Sequence, residues 1–165
     1  MFHVKHFKNS LTTIVLMEGM GENILKEVAR NRISNVKISL HDAYIENIVA
    51  NKNNIEFKIK EALDYSEDKS KKRNLRIIFQ DVDFDFCGIT LIKEKNGKVT
   101  GKEYGLKKFI KKNLKGNMEI ISETYNGYDT VWIGYHYGKK GRIKKFIIEI
   151  WNHGKIVYRI PDIKS

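Results

Sequence analysis

Residues 40–59, LHDAYIENIVANKNNIEFKI, decide the pattern on which the chain is built. In the second half of this stretch Ile55, Phe57 and Ile59 alternate with charged residues, which is typical of a β-strand with one wet face. The run 43–49 alternates in the same way, and we expect its odd-numbered residues to share a face. The Asn-rich segment 51–54 predicts a hairpin turn, because Asn tolerates left-handed backbone angles.

Length and composition favour one cytoplasmic domain. The 165 residues suit a single domain, and 41% hydrophobic residues are enough to form a core. No segment approaches the ~18 apolar residues that a membrane span needs, so we expect no membrane association. Cys87 is the single cysteine. This excludes an internal disulfide and suits a reducing cytoplasm, where we expect the thiol to be a small buried apolar group.

The formal charge of +11 raises the question of an anionic partner. Most of the positive residues are Lys rather than Arg, and Arg is the better reader of phosphates and bases. The chain is also rich in Ile and Asn, which share AT-rich codons with Lys. The charge therefore has two interpretations, a phosphate-binding face or a solvated lysine surface set by genome composition.

Residues 1–20 are predicted to be an N-terminal extension outside a single β-rich domain at 21–165. The first six residues, MFHVKH, can be encoded by ATGTTTCACGTGAAACAT, a palindrome that resembles the centromere-like site of bacterial chromosome-partitioning systems. One interpretation is that translation starts at Met17 or Met20. The other is an ordinary N-terminal strand or arm.

Two segments have helical periodicity. In the segment 21–32, Ile24, Leu25 and Val28 follow an early acid and precede late arginines, which predicts a short amphipathic helix. In the segment 104–114, apolar residues including Leu106 and Phe109 recur at helical spacing between lysines. This second segment is the clearest helix in the sequence, and its apolar stripe is expected to pack on a sheet.

The remaining segments alternate like strands and are separated by turn signals such as Asn96-Gly97, Asn126-Gly127 and the segment 152–154. Hairpin connections place consecutive strands antiparallel and adjacent. The sequence therefore predicts a β-rich α+β fold, with antiparallel meander sheets, one packed amphipathic helix and a short N-terminal helix.

Two groups of polar residues could carry chemistry. His41 and Asp42 could form a polar site if a turn brings their side chains together. The alternation of Asp81, Asp83 and Asp85 predicts a strand with a row of carboxylates on one face, which leaves a single Mg²⁺ or Mn²⁺ site open as an alternative. The spacing fails as an EF-hand, and no metal or cofactor motif occurs, so we expect no cofactor and no catalytic residue.

A set of aromatic residues and His136 lies on the last strands and is expected to anchor a partner, with core packing as the alternative. Within the set, Trp132 and His136 are predicted to share the face opposite Tyr135 and Tyr137. The full set comprises Trp132, Tyr135, His136, Tyr137, Trp151 and Tyr158.

A second set consists of basic residues and would bind nucleic acid if the charge is functional. Its helical members otherwise form the wet side of an amphipathic helix. The set comprises Lys107, Lys108, Lys111, Lys112, Lys139, Lys140, Arg142, Lys144 and Lys145.

The motif Leu40-His41-Asp42-Ala43-Tyr44-Ile45, followed by Ile48, the Asn-rich turn and Ile55-Glu56-Phe57, resembles a motif in small bacterial β-rich proteins of unknown function. Some of these resemble immunity proteins, which neutralise toxins in competition between bacteria. The resemblance implies a protein partner, such as a cognate toxin, and no catalytic residues. Many immunity proteins are acidic and bind basic nucleases, so the basic charge of this chain implies a different toxin.

Three functions follow from these patterns. The first is a cytoplasmic, non-catalytic protein-binding module, of the immunity type. The second is a nucleic-acid-binding protein that uses the basic set. The third is a metal-dependent hydrolase at His41, Asp42 or the aspartate row.

Overall fold

The computed structural model describes residues 24–30, 36–112, 117–138 and 141–161, so the predicted extension at 1–20 lies outside the described residues. Most of these residues form strands. The elements, in chain order, are β1 (Ile24–Arg30), β2 (Ile38–Ser39), β3 (Ala43–Asn51), β4 (Asn54–Asp64), β5 (Lys71–Phe79), a 3-10 turn (Phe84–Phe86), β6 (Gly88–Lys95), β7 (Lys98–Gly105), α1 (Leu106–Lys111), β8 (Asn117–Asn126), β9 (Asp129–Tyr137), β10 (Ile143–Trp151) and β11 (Ile156–Pro161).

The described strands form one antiparallel sheet in the order β1-β11-β5-β4-β3-β8-β9-β10-β6-β7, and β2 pairs with β4. The hairpins predicted at β3–β4, β6–β7 and β8–β9 are present. The one predicted at the turn 152–154 is wrong, because β11 pairs with β1 and β5 and not with β10. The pairs β3–β8, β10–β6 and β11–β5 join strands that are far apart in the chain. Local turn signals do not encode these pairs.

The sheet folds back on itself at the β3–β8 junction. Only Ala43–Ile45 of β3 pairs with β8, and beyond these residues the two strands diverge. Phe79 on β5 and Trp132 on β9 are four strands apart, roughly 19 Å in a flat sheet, yet their ring centroids are 5.6 Å apart. The sheet therefore forms two packed layers. Layer A consists of β1–β5 and β11, and layer B consists of β6–β10.

The inner faces of the two layers form one core cluster, and helix α1 packs against its end. Ile55, Phe57 and Ile59 of layer A are fully buried there, opposite Trp132 of layer B. Leu106 and Phe109 of α1 are buried in the same cluster. The amphipathic helix is thus confirmed but shorter than its sequence pattern, and its last predicted residues lie outside the described ranges.

The predicted N-terminal helix is wrong. Residues Ile24–Arg30 form the edge strand β1, which pairs along β11. The helical spacing of three apolar residues is weak evidence over so short a segment, and tertiary pairing overrides such a local preference. With one short helix beside eleven strands, the described chain is β-rich rather than α+β.

Two other predictions are wrong because the backbone departs from a regular strand, at a bulge in β3 and at the 3-10 turn. A bulge in β3 between Ile45 and Asn47 shifts the side-chain alternation, so Val49 points outward instead of sharing the face of Ile45. The predicted aspartate strand is also wrong. Asp83 accepts a hydrogen bond from the backbone N–H of Asp85 and caps the 3-10 turn, so the three carboxylates do not form a row on a strand.

Gly134 is needed for the close approach of β9 to β8. A Cβ at this position would lie 1.8 Å from the carbonyl oxygen of Glu119 and 2.7 Å from the ring of Phe146. The site lies beside a bulge in β8 between Ile120 and Ser122. A side chain cannot be accommodated without moving backbone, which explains a glycine in the middle of a central strand.

Candidate functional site

The outer face of layer A carries ion pairs beside the apolar side chains Val49, Ile78 and Val157. Glu46 accepts from Lys58 at 2.9 Å and from Lys60 at 2.5 Å, and these bonds hold the pKa of Glu46 below its ordinary value. Further pairs join Glu56 to Arg76, Glu61 to Lys72 and Glu27 to Arg159. A solvent-exposed face with charged side chains is usual for one side of an antiparallel sheet.

The outer face of layer B carries a strip of apolar side chains on β9 and β10, which is interrupted by Lys145 and by the exposed Glu149 opposite Val131. Ile133 on β9 and Ile147 on β10 are directly opposed, and Tyr135 is opposed to Lys145, which is opposed to Ile92 on β6. No ion pair lies on this face among the described residues. We call this surface the outer apolar face, and it comprises Ile92, Val131, Ile133, Tyr135, Tyr137, Ile143 and Ile147.

Several of its side chains are well exposed. The exposed fraction is 42% for Tyr135, 37% for Tyr137 and 58% for Ile143. The hydroxyl of Tyr137 donates to Glu119 at 2.5 Å, and that of Tyr44 on β3 donates to the same carboxylate at 3.2 Å. The hydrogen bond to Glu119 raises the pKa of Tyr137 to about 12. This tyrosine is therefore held in place by its hydroxyl while its ring stays exposed.

An aromatic cluster lies where β10 ends. Trp151 stacks on Tyr128 with ring centroids 6.0 Å apart, and the ring centroid of Phe86 lies 6.1 Å from that of Trp151. The exposed fraction of Phe86 is 69%, the highest among the large apolar residues of the described chain. Trp151 follows Ile147 by four positions on the same strand, so it points to the same side as the outer apolar face.

The structure divides the predicted aromatic set between two environments. Tyr135 and Tyr137 are at the surface, as a partner-binding role requires, and Trp151 is half-buried against the core cluster. Trp132 and Tyr158 are 0% and 1% exposed and belong to the core. His136 is also buried, on the face opposite Tyr135 and Tyr137 as the alternation predicted.

His136 is an unusual core residue. Both ring nitrogens are buried and have no hydrogen-bond partner within the described part of the chain. Burial lowers the pKa of His136, and the positive charge of Lys144, its directly opposed neighbour on β10, lowers it further. The neutral imidazole is therefore the form that the fold favours.

His41 and Asp42 do lie together in a turn. Asp42 has a left-handed φ of 62°, and its backbone N–H donates to Ile120 at 2.8 Å. The Nδ1 of His41 is 2.6 Å from the carbonyl oxygen of Ile121, and its Nε2 is 3.5 Å from a carboxylate oxygen of Asp42. Both side chains are well exposed. The pair fixes the turn between β2 and β3 against β8.

The aspartate segment lines a shallow cleft of about 340 Å³ beside the aromatic cluster. Asp81, Asp83, Asp85 and His153 contribute to its walls together with Lys107. Within the described ranges, no three His, Cys, Asp or Glu side chains are grouped so that they could hold a metal ion.

Cys87, next to this cleft, is buried, and burial raises the pKa of its thiol to about 11. The side chain lies 3.2 Å from the backbone nitrogen of Trp151 and 3.1 Å from the carbonyl oxygen of Asp83. It therefore has the structural role expected from the sequence.

The predicted basic set is scattered. Lys144 and Lys145 point to opposite faces of β10, Lys107 lies 3.8 Å from the ring centroid of Phe84, and Lys112 lies 5.0 Å from that of Tyr104. Lys108, Lys111 and Arg142 are exposed, and Lys139 and Lys140 lie outside the described residues.

The sequence does not single out Ile92, Ile133 and Ile147 as outward-facing residues, or Phe86 and Tyr128 as members of an aromatic cluster. A signal for the first three exists, because β6, β9 and β10 carry apolar residues at both odd and even positions. That pattern is typical of a strand covered on both faces. In layer B the inner face is covered by layer A, whereas nothing among the described residues covers the outer face.

No family model, no curated protein and no solved structure matches the chain. Across the ranges that the structure describes, no helix has the length and apolar character needed to cross a membrane.

Proposed function

We propose that the protein is a non-catalytic protein-binding module of the immunity type, which binds an acidic partner protein, such as a cognate toxin, through the outer apolar face. The observation that supports this is the contrast between the two outer faces of one sheet. Ion pairs cross the outer face of layer A, while layer B places Ile133, Ile147 and Tyr135 side by side, with Lys145 and Glu149 flanking Ile147.

Covering the outer apolar face with a partner is favourable for two physical reasons. Burial of apolar surface stabilises a complex by roughly 25 cal/mol per Å² before the costs of association. Tyrosine and tryptophan are also the residues that most often dominate binding energy. The bond from Tyr137 to Glu119 fixes one such ring before binding, which reduces the entropy lost on association.

The charge of the chain indicates the kind of partner. A net charge of +11 attracts an acidic protein over long distances and raises its association rate. Lys145 lies between Tyr135 and Ile92 on the face itself and would pair with a carboxylate near the centre of the interface. The single free cysteine fits a cytoplasmic site of action, where thiols stay reduced.

Photo-crosslinking in the native host tests this proposal. Benzoylphenylalanine replaces Tyr135 in one variant and Val49 in a control, because the two side chains are 42% and 40% exposed but lie on opposite layers. We expect a discrete adduct with one acidic protein from position 135 and none from position 49. No adduct at 135, equal adducts at both positions, or an adduct with a second copy of this chain would contradict the proposal.

A further inference from the structure

A second surface is the ribbon formed by β6 and β7. Every residue from Lys93 to Gly101 is exposed on this hairpin, and β10 pairs with β6 only as far as Ile92. From Lys93 to the Asn96-Gly97 turn and back to Thr100, the two strands pair only with each other. The ribbon therefore extends beyond the two-layer body.

The charges of the ribbon are sorted between its two faces. Residues directly opposed across an antiparallel pair share a face, and the pairs are Lys95–Lys98, Lys93–Thr100 and Leu91–Lys102. One face thus carries four lysines and no acid. Both glutamates, Glu94 and Glu103, lie on the opposite face with Val99.

Helix α1 extends this lysine face. The ammonium groups of Lys102 and Lys112 both lie over the ring of Tyr104, at 5.3 and 5.0 Å from its centroid. None of these lysines forms an ion pair among the residues described, whereas layer A pairs Lys58, Lys60 and Lys72 with carboxylates. We define the lysine face as Lys93, Lys95, Lys98, Lys102 and Lys112.

Neither the codon composition of the genome nor the protection of an exposed strand edge explains why the lysines and the glutamates lie on opposite faces of the ribbon. Lysines set by codon usage alone would be spread over both faces and would pair with acids as they do in layer A. Lysine on an edge strand prevents pairing with other chains, but that purpose does not require the glutamates to be on the other face. An anionic ligand that contacts one side of the ribbon accounts for both observations.

From this geometry we propose that the lysine face binds the phosphate backbone of double-stranded DNA, with the ribbon in the major groove. The B-form major groove is wide enough for a two-stranded β-ribbon. Lysines contact phosphates as point charges, so binding is independent of base sequence. Among the described residues, the lysine face has no exposed large apolar or aromatic residue that could anchor a protein partner or enter a membrane surface. This proposal does not depend on the outer apolar face.

The test is fluorescence anisotropy with a 20-base-pair DNA duplex over a series of KCl concentrations. Contacts from four to five lysines predict a slope of log affinity against log salt of about −4. The variant K93Q/K95Q/K98Q/K102Q is compared with K58Q/K60Q/K71Q/K72Q, which removes the same charge from ion-paired lysines of layer A. We expect the first to lose at least about 100-fold in affinity at low salt and the second less than about 5-fold.

Several results would overturn the proposal. These are no binding at 20 mM KCl, an equal loss in the two variants, or binding to anionic lipid vesicles in preference to the duplex. A double-stranded RNA of the same length is expected to bind at least about 10-fold more weakly, because its major groove is too narrow for the ribbon. Equal binding of RNA and DNA would rule out groove docking. Melting temperatures within about 3 °C of the unmodified protein show that both variants fold.

Discussion

The indole of Trp132 on β9 lies edge to face against the ring of Phe57 on β4, with centroids 4.7 Å apart, although β3 and β8 separate these strands in the sheet. Phe79 on β5 contacts the same indole. This trio joins the inner faces of the two layers. These three rings therefore face the interior and are not available to a partner at the outer face of layer B.

Trp132→Ala is expected to destabilise the protein by about 3–5 kcal/mol, because it leaves a cavity between the two layers. Trp132→Phe should cost less, since a ring remains and the indole N–H has no hydrogen-bond partner among the described residues. Equilibrium urea unfolding measures both. As a control, Tyr135→Ala on the outer face is expected to cost less than about 1 kcal/mol. A similar cost for Trp132→Ala and Tyr135→Ala would mean that Trp132 does not join the layers.

Gly134→Ala should destabilise the fold by at least about 2 kcal/mol, because the added Cβ meets the backbone of Glu119. Gly101→Ala is the matched control. Its Cβ would lie 3.7 Å from the methyl group of Thr90, an ordinary contact, so alanine should be neutral or slightly stabilising. Thermal unfolding compares the two. Equal melting temperatures would contradict the close approach of β8 and β9.

His136 should make stability depend on pH. Its pKa is lowered in the folded state, so its contribution is present above the unfolded-state pKa and is lost as pH falls through the folded-state pKa. His136→Phe should change the free energy of unfolding little at pH 7, because it replaces a buried ring that has no hydrogen-bond partner among the described residues. Since phenylalanine does not titrate, the variant should also lose less stability than the unmodified protein between pH 7 and pH 5.

His136→Gln separates titration from polarity. Glutamine does not titrate, so it should also reduce the pH dependence, but it leaves a buried amide without partners and should be less stable than His136→Phe at pH 7. Urea unfolding at several pH values measures all three proteins. An unchanged pH dependence in both variants would contradict a buried neutral imidazole.

Cys87 should react slowly with iodoacetamide in the folded protein. Raising the thiol pKa from 9.0 to about 11 lowers the thiolate fraction at pH 8 by about 100-fold, and burial reduces access further. Alkylation followed by mass spectrometry should show at least that ratio between urea-unfolded and folded protein. Equal rates in the two states would place the thiol at the surface.

The sequence predicted the local features of the fold and not its long-range pairing. The turns at 51–54 and Asn96-Gly97 gave correct hairpins, because their backbone requirements are local; Asn96 and Gly97 have φ of 51° and 73°. The pairing of β11 with β5 and of β10 with β6 depends on which edges meet after the sheet folds. The segment 21–32 has a helical pattern, yet its described part, Ile24–Arg30, is a strand because it pairs with β11, more than 125 residues away in the chain.

The candidate surfaces were predicted only in part. Period-two alternation correctly separated Tyr135 and Tyr137 from Trp132 and His136, but it could not tell which face is the core. The density of lysines in the sequence links Lys144 with Lys145, although the two side chains point to opposite faces. The face with Lys93, Lys95, Lys98 and Lys102 arises from strand register, which the hairpin fixes and a linear scan does not show.

If the outer apolar face of layer B is a protein interface, substitutions on it should weaken the affinity for the partner crosslinked at position 135. Titration calorimetry would compare Tyr135→Asp/Ile143→Asp with Val49→Asp, all at exposed apolar side chains. We predict a loss of at least about 30-fold, or about 2 kcal/mol, for the layer B variant and less than about 3-fold for Val49→Asp. Equal affinities of these two variants for the partner would contradict the account.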